Sequence, residues 1–431
     1  MATYIEPRVL KGFRDFLPAA EIARRTLIER IEFSFRSYGF LPIDTPALEY
    51  AEILLGKGGG ETEKQIYRFI DNGGRDVALR FDLTVPFARF VAEHRADLPL
   101  PFKRYHIAKV WRGENTQRGR YREFTQCDFD IVGSDSAAAD FEILLMMRNT
   151  FQTIGAGDVT IRVNHRGLFN RFLATLGVAG RSVEILRTVD KLGKIGRDAT
   201  LIQLAALLDD DKAARILSFI EAKGGFEETL ACMTEAAGGE CPESERLRLL
   251  YCFMLDTGSA ASFTLDPSIT RGLDYYTGVV YETFLNEVPD IGSVCSGGRY
   301  DNLAALYSKE RVSGVGSSIG LDRLIAALET LGKLGDKNAY ARLGIACIEE
   351  KDAGHYQTLA TRFRDAGISC EVFLESNKLA KQFMLAEKKG IKWLLIPADD
   401  ANGAFSLRNI ETRETIDKCS SIEEAIKMLL R

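Results

Sequence analysis

The sequence predicts an α+β protein. It has a core with an antiparallel sheet, a helical insertion within that core, and a C-terminal α/β domain. Three observations predict this. Strand signals that are neighbours in the chain are joined by turn residues, as in Ile66–Ile70 and Asp76–Leu83 around Asp71-Asn72-Gly73-Gly74. Strand signals then vanish between residues 176 and 255, and from about residue 340 strand and helix alternate.

In chain order, Glu21–Tyr38 reads as a helix, with Ile22, Leu27, Ile31 and Phe35 on one face and Gly39 as its stop. Phe102–Arg112 and Arg122–Val132 read as two strands around a polar loop, and sequential hairpins imply antiparallel pairing. Val183–Leu192, Asp198–Leu207 and Lys212–Lys223 read as helices. Strands return at Tyr276–Leu285, in the glycine-rich Gly292–Gly298 and at Gly314–Gly320, the last leading into a helix. In the final zone, strands are expected at Leu343–Ile348, Ser369–Phe373 and Trp393–Ile396, and helices at His355–Ala366, Ala380–Lys389 and Ile422–Leu430. The expected domains are residues 1–175 with 256–332 as the core, 176–255 as the insertion and 340–431 at the C-terminus, with a linker near Gly332–Asn338.

The chain has 431 residues, 46% of them hydrophobic and 27% charged, which suits a folded protein of two or three domains and excludes disorder or low complexity. No stretch approaches the ~18 apolar residues of a spanning helix. The start has no basic-then-apolar signal pattern, so a cytoplasmic protein is expected. The eight cysteines form no CxxC pair and there are only four histidines, so a zinc site is not expected. The net charge of −5 gives no general field for nucleic acid, and any polyanion site must be a local patch.

Such a patch exists. Between Lys103 and Glu123, seven cationic side chains oppose two anionic ones, around the hairpin loop Gly113–Tyr121. Arginines on a rigid hairpin suit phosphate, which guanidinium grips in a fork, whereas a solvated basic loop is the plainer reading. On the return strand, Arg122, Phe124, Gln126, Asp128 and Asp130 share a face by period two. Turned inward, two acids there need partners; turned outward, they are simply hydrated. Gln126 and Asp130 would stand roughly 13 Å apart along the strand, far enough to hold two ends of one ligand. Arg271-Gly272-Leu273-Asp274-Tyr275-Tyr276-Thr277-Gly278 is a second polar-aromatic cluster. Gly314-Val315-Gly316-Ser317-Ser318-Ile319-Gly320-Leu321-Asp322-Arg323 runs from a glycine-rich strand into a helix.

Taken in this order, these segments resemble the class II aminoacyl-tRNA synthetases. Arg112 to Phe124 is similar to motif 2, Gly314, Gly316, Gly320 and Arg323 to motif 3, and Gly39-Phe40 through Thr45-Pro46 and Glu49 to motif 1. Arg271–Gly278, Gly297-Gly298-Arg299-Tyr300-Asp301, Lys11–Pro18 and Leu79–Thr84 resemble the histidyl-tRNA synthetase family in particular. The resemblance spans the chain. It implies activation of L-histidine by ATP, accompanied by Mg2+, to histidyl-adenylate, and transfer to tRNA(His). It implies that Arg112 and Arg271 act on the α-phosphate, that Arg120 and Arg323 hold the β- and γ-phosphates, and that Phe124 stacks on adenine. Asp82, Thr84 and Gln126 are implied at the α-amino group of histidine, and Asp130 and Tyr276 at its imidazole. Tyr275 is implied beside them, although strand alternation turns it to the other face, where packing competes. Metal ligands are not assigned.

A homodimer is implied by motif 1, and contact with the tRNA acceptor end by the loop Glu114–Arg118. The C-terminal domain resembles an anticodon-binding domain, although residues 341–431 balance 14 cationic against 14 anionic side chains. After Trp393–Ile396, Pro397-Ala398-Asp399-Asp400 replaces the expected glycine-containing turn. The alternative is a catalytically inactive paralogue serving as the regulatory subunit of ATP phosphoribosyltransferase. That protein typically lacks both the C-terminal domain and the Arg-Gly-Leu-Asp-Tyr-Tyr stretch, and this chain has them.

Overall fold

The computed structural model describes residues 4–430 apart from 57–60, 222–223, 270–275, 302–306, 308–310, 336–338, 398–404 and 420. The chain divides into two compact units, residues 1–14 with 27–334 and residues 15–26 with 335–431.

The larger unit is built on an eight-stranded sheet. In chain order its strands are β1 (Leu41–Pro42), β2 (Phe102–Trp111), β3 (Glu123–Val132) and β4 (Val159–His165), then β5 (Phe263–Leu265), β6 (Val279–Leu285), β7 (Cys295–Tyr300) and β8 (Gly314–Gly320). Across the sheet they run β1-β2-β3-β8-β7-β6-β4-β5. The five inner pairings are antiparallel, and the two outermost, β1 with β2 and β4 with β5, are parallel. The expected antiparallel sheet is therefore mixed at its edges. The reason is connection length: the chain between β1 and β2, like that between β4 and β5, is long enough to return and start again at the same end. The hairpin read around Asp71–Gly74 is present as Arg68–Ile70 and Asp76–Leu79, but it joins Leu48–Tyr50 in a separate three-stranded sheet.

Period-two sequence and hydrophobic burial bring the hairpin β2–β3 against the helix Pro18–Ser37. Ile31 and Phe35 of that helix are fully buried, and the Phe35 ring lies 4.8 Å from Phe129 and 5.7 Å from Tyr105. Each such side chain contributes about 2 kcal/mol through burial. The helix Ala137–Thr153 packs into the same core through Ile143, Leu144, Met146 and Met147. Between β4 and β5 the chain is helical. Helices form at Ser182–Val189, Arg197–Leu207 and Asp210–Ile220, where the sequence predicts Val183–Leu192, Asp198–Leu207 and Lys212–Lys223, and they are joined by Phe226–Ala236 and Pro242–Asp256. Asp209 caps the third by accepting from the Lys212 N–H, which satisfies one of its free donors.

The C-terminal unit has its own core and five-stranded sheet. Cys370–Val372, Leu343–Ile345 and Trp393–Pro397 are parallel, as alternating strand and helix require, and Phe405–Asn409 and Thr415–Cys419 add an antiparallel edge. Among the described residues no helix is long and apolar enough to cross a membrane.

Candidate active site

The site is built on the middle of the large sheet, where β3 meets β8. Their register places Gln126 opposite Gly320, Asp128 opposite Ser318 and Asp130 opposite Gly316. Gly316 must be glycine, because a Cβ there would stand 1.9 Å from Asp130 Oδ1. The space is taken by a buried polar cluster. Arg104, directly across from Asp130 on β2, lies 2.7 Å away through Nη2, and the Tyr300 hydroxyl donates to Asp130 at 2.5 Å. The face shared by Gln126, Asp128 and Asp130 is thus turned inward, and the acids have a guanidinium partner.

One end of the cavity above this floor is rich in acceptors. Asp82 uses Oδ1 to accept from the Val85 N–H at 3.0 Å, at the start of the helix Thr84–Glu93. Its Oδ2 is buried and has no hydrogen-bond donor among the described residues. Burial lifts the Asp82 carboxyl to about 6, against the Val85 N–H and the nearby Arg112. Gln126 donates from Nε2 to Ser318 Oγ at 2.7 Å, and its Oε1 is likewise buried with no donor among the described residues. Asp128 lies beneath, lifted to about 7 by burial, with Arg104 opposing and Asp130 reinforcing the shift.

The other end is cationic. Arg112 is anchored by donating from Nε to the Phe81 carbonyl at 2.8 Å, and its guanidinium sits 5.1 Å from the Phe124 ring centre. Arg112 and Arg120 each stand 3.8 Å from Glu114. Arg323 donates to the Ser293 carbonyl at 2.5 Å, and burial, then the adjacent Arg120, draws its proton affinity down. Its neighbour Asp322 accepts from the Thr125 N–H at 2.8 Å and pairs with Arg14, which lies 3.8 Å from the Tyr121 ring centre. The β2–β3 loop reaches Arg323 because Gly119 adopts φ +71° and packs where a Cβ would come within 3.3 Å of Arg323 Cα.

Asp82, Thr84, Arg112, Arg120, Phe124, Gln126, Tyr276 and Arg323 therefore line a single cavity of about 310 Å³. Asp130 does not reach its wall, being occupied by Arg104 and Tyr300. Arg271 and Tyr275 lie outside the described residues. Ser318 and Asp322 also line the cavity without having been singled out, and Arg104 and Tyr300 support it from below. Asp322 carried a signal, since it stands next to Arg323 in the strand-to-helix segment, whereas Arg104 reads from sequence as one more basic-patch residue. A larger groove of about 1020 Å³ shares Arg112, Arg120 and Arg323 and continues past Gln117 and Arg118 to Arg162.

A family model described as histidyl-tRNA synthetase matches residues 12–324, which include every described wall residue of this cavity. The chain belongs to the histidyl-tRNA synthetase family. A second model, described as an anticodon binding domain, matches residues 343–431. The chain is 55% identical to a histidine–tRNA ligase of Treponema denticola over 443 aligned positions, covering 100% of this chain and 99% of that one. It is 47% identical to the histidine–tRNA ligase of Rhodopirellula baltica, covering 97% of each. The structure resembles a histidyl-tRNA synthetase from a Nostoc species with a TM-score of 0.85 and 32% identity, over 99% of this chain and 100% of the other. It shares its fold, at a TM-score of 0.75 and 21% identity, with a Bacillus halodurans protein described as an ATP phosphoribosyltransferase regulatory subunit/histidyl-tRNA synthetase.

Proposed function

We infer that the chain is a histidine–tRNA ligase, which joins L-histidine to the 3′ end of tRNA(His) at the expense of ATP. The observation that carries this reading is the polarity of the cavity, with buried oxygens of Asp82 and Gln126 that have no donor among the described residues at one end and Arg112, Arg120 and Arg323 at the other. An α-ammonium fits the first and a triphosphate the second, with the carboxylate and α-phosphate brought together between them. The alternative of an inactive regulatory paralogue is set aside by the identity and coverage of the ligase relatives.

In the first step the histidine carboxylate attacks the α-phosphorus and pyrophosphate leaves. Negative charge spreads over the phosphoryl oxygens, and fixed guanidinium groups stabilise it without reorganising. Arg112, pre-set by the Phe81 carbonyl, faces the α-phosphate, and Arg271 is assigned the opposite side of it. Arg120 and Arg323 take the β- and γ-phosphates. The crowding of Arg323 by Arg120 favours an anion, because bringing one between them relieves the repulsion. Phe124 stacks on adenine. Thr84 joins Asp82 and Gln126 at the ammonium, and Tyr276 and Tyr275 are assigned to the imidazole. Asp130 is assigned to the imidazole through Tyr300 and Arg104 rather than by direct approach, since both its oxygens are engaged.

ATP enters with Mg2+ as its counter-ion. Among the described residues no cluster of three or more His, Cys, Asp or Glu side chains is placed to hold a metal, so none is assigned to it. The groove past Gln117 and Arg118 suits the acceptor end of the tRNA, and the C-terminal unit its anticodon. A cytoplasmic homodimer is the expected working form. The test is exchange of labelled pyrophosphate into ATP with each amino acid in turn. Exchange with histidine alone is expected, and a folded protein that gives none overturns the reading.

A further inference from the structure

The amide of Gln126 presents its oxygen to the cavity, and a chain of polar groups behind it explains why. Gln126 Nε2 donates to Ser318 Oγ at 2.7 Å. Ser318 faces Asp128 across the β3–β8 register, and its hydroxyl opposes the rise in the proton affinity of that carboxyl. Above about pH 7, where Asp128 is ionised, its carboxylate only accepts, so the Ser318 proton is drawn to Asp128 and the Ser318 lone pairs face the amide. Turning the amide over would set Gln126 Oε1 against a hydroxyl oxygen whose proton is committed. It would also point the NH2 group at the place the ammonium must occupy. Rescuing that geometry by swinging the hydroxyl would strip a buried carboxylate of a donor, and Asp128 Oδ1 already has none among the described residues.

We propose that Ser318, held by Asp128, is a positioning residue that locks the Gln126 amide with its oxygen toward the α-ammonium of histidine. Selection for an amino acid, as against a carboxylic acid with the same ring, then depends on a hydroxyl with no assigned contact to the substrate. This rests on the assignment of Asp82 and Gln126 to the ammonium.

The test compares two probes, histidine and its des-amino analogue imidazolepropionate, by equilibrium binding to the full-length protein and its Ser318→Ala, Ser318→Thr and Gln126→Ala variants. Wild type is expected to prefer histidine strongly. Ser318→Ala should weaken histidine about tenfold, the value of one such hydrogen bond, and leave imidazolepropionate within about twofold. Ser318→Thr, which restores the hydroxyl, should recover most of the loss. Equal weakening of both probes, or no weakening, overturns the proposal, because a merely structural serine does not distinguish them. Equal affinity of wild type for the two probes, or a Gln126→Ala variant that loses both alike, overturns the ammonium assignment itself.

Discussion

Asp82 holds its charge against its surroundings. Its carboxyl is raised to about 6 from 3.8, so the folded chain binds the proton more tightly than the unfolded chain. Its contribution to stability is therefore full below about pH 4, falls as pH rises, and is lost above about pH 6. Asparagine would keep the acceptor that caps the helix Thr84–Glu93 and remove the buried charge. Asp82→Asn should thus raise the thermal midpoint of the unliganded protein at pH 8, with the difference vanishing toward pH 4. It should weaken histidine by about 10–100-fold, since a hydrogen bond to a charged partner is lost. Calorimetry at the two pH values and exchange kinetics check both halves. Of the eight predicted residues that line the cavity, Phe124 and Gln126 share a strand face by period two, Arg112, Arg120, Tyr276 and Arg323 stand in basic, aromatic or glycine-rich segments, and Asp82 and Thr84 enter only through the family resemblance. Asp130 was legible as an acid on the face of Gln126, with inward and outward both open, but not as one already partnered. Its neighbour Arg104 is found only when the register pairs the two across β2 and β3.

At the scale of elements, the loop between β2 and β3 works as a strut. Its tip turns at Gly119, and the close approach to Arg323 holds Arg120 beside it. Gly119→Val would force a β-branched residue into a left-handed conformation and push the loop off the helix, at a cost of about 2 kcal/mol or more. The expected outcome is a KM for ATP raised at least tenfold in the exchange assay while the KM for histidine stays within about threefold. Hairpin strands were legible because their apolar alternation is local. The helix Ala137–Thr153 was not, because it is buried on most sides and shows no apolar stripe against a polar one. The strands Phe405–Asn409 and Thr415–Cys419 are five residues each, too short for a period-two pattern to stand out. The pairing of β3 with β8 joins positions nearly two hundred residues apart, and no window of sequence carries that information.

For the whole molecule, the hydrophobic cores of the two units are built from separate stretches of chain, those of the larger unit within residues 27–328 and that of the C-terminal unit within 343–429. Every described residue of the cavity of about 310 Å³ lies in the larger unit. Truncation after Leu334 should leave histidine-dependent exchange within about threefold of the intact protein and lower kcat/KM for charging tRNA(His) at least tenfold. Undiminished charging by the truncated form would remove the role assigned to the C-terminal unit. The parallel pairing of β4 with β5 has a further consequence. Strands running the same way need a crossover, and here the whole run of helices between His165 and Phe263 is that crossover, leaving one strand and re-entering at its immediate neighbour. Both ends of the detour are pinned by the sheet, and its helices pack into the same hydrophobic core, so the detour braces the sheet rather than hanging from it.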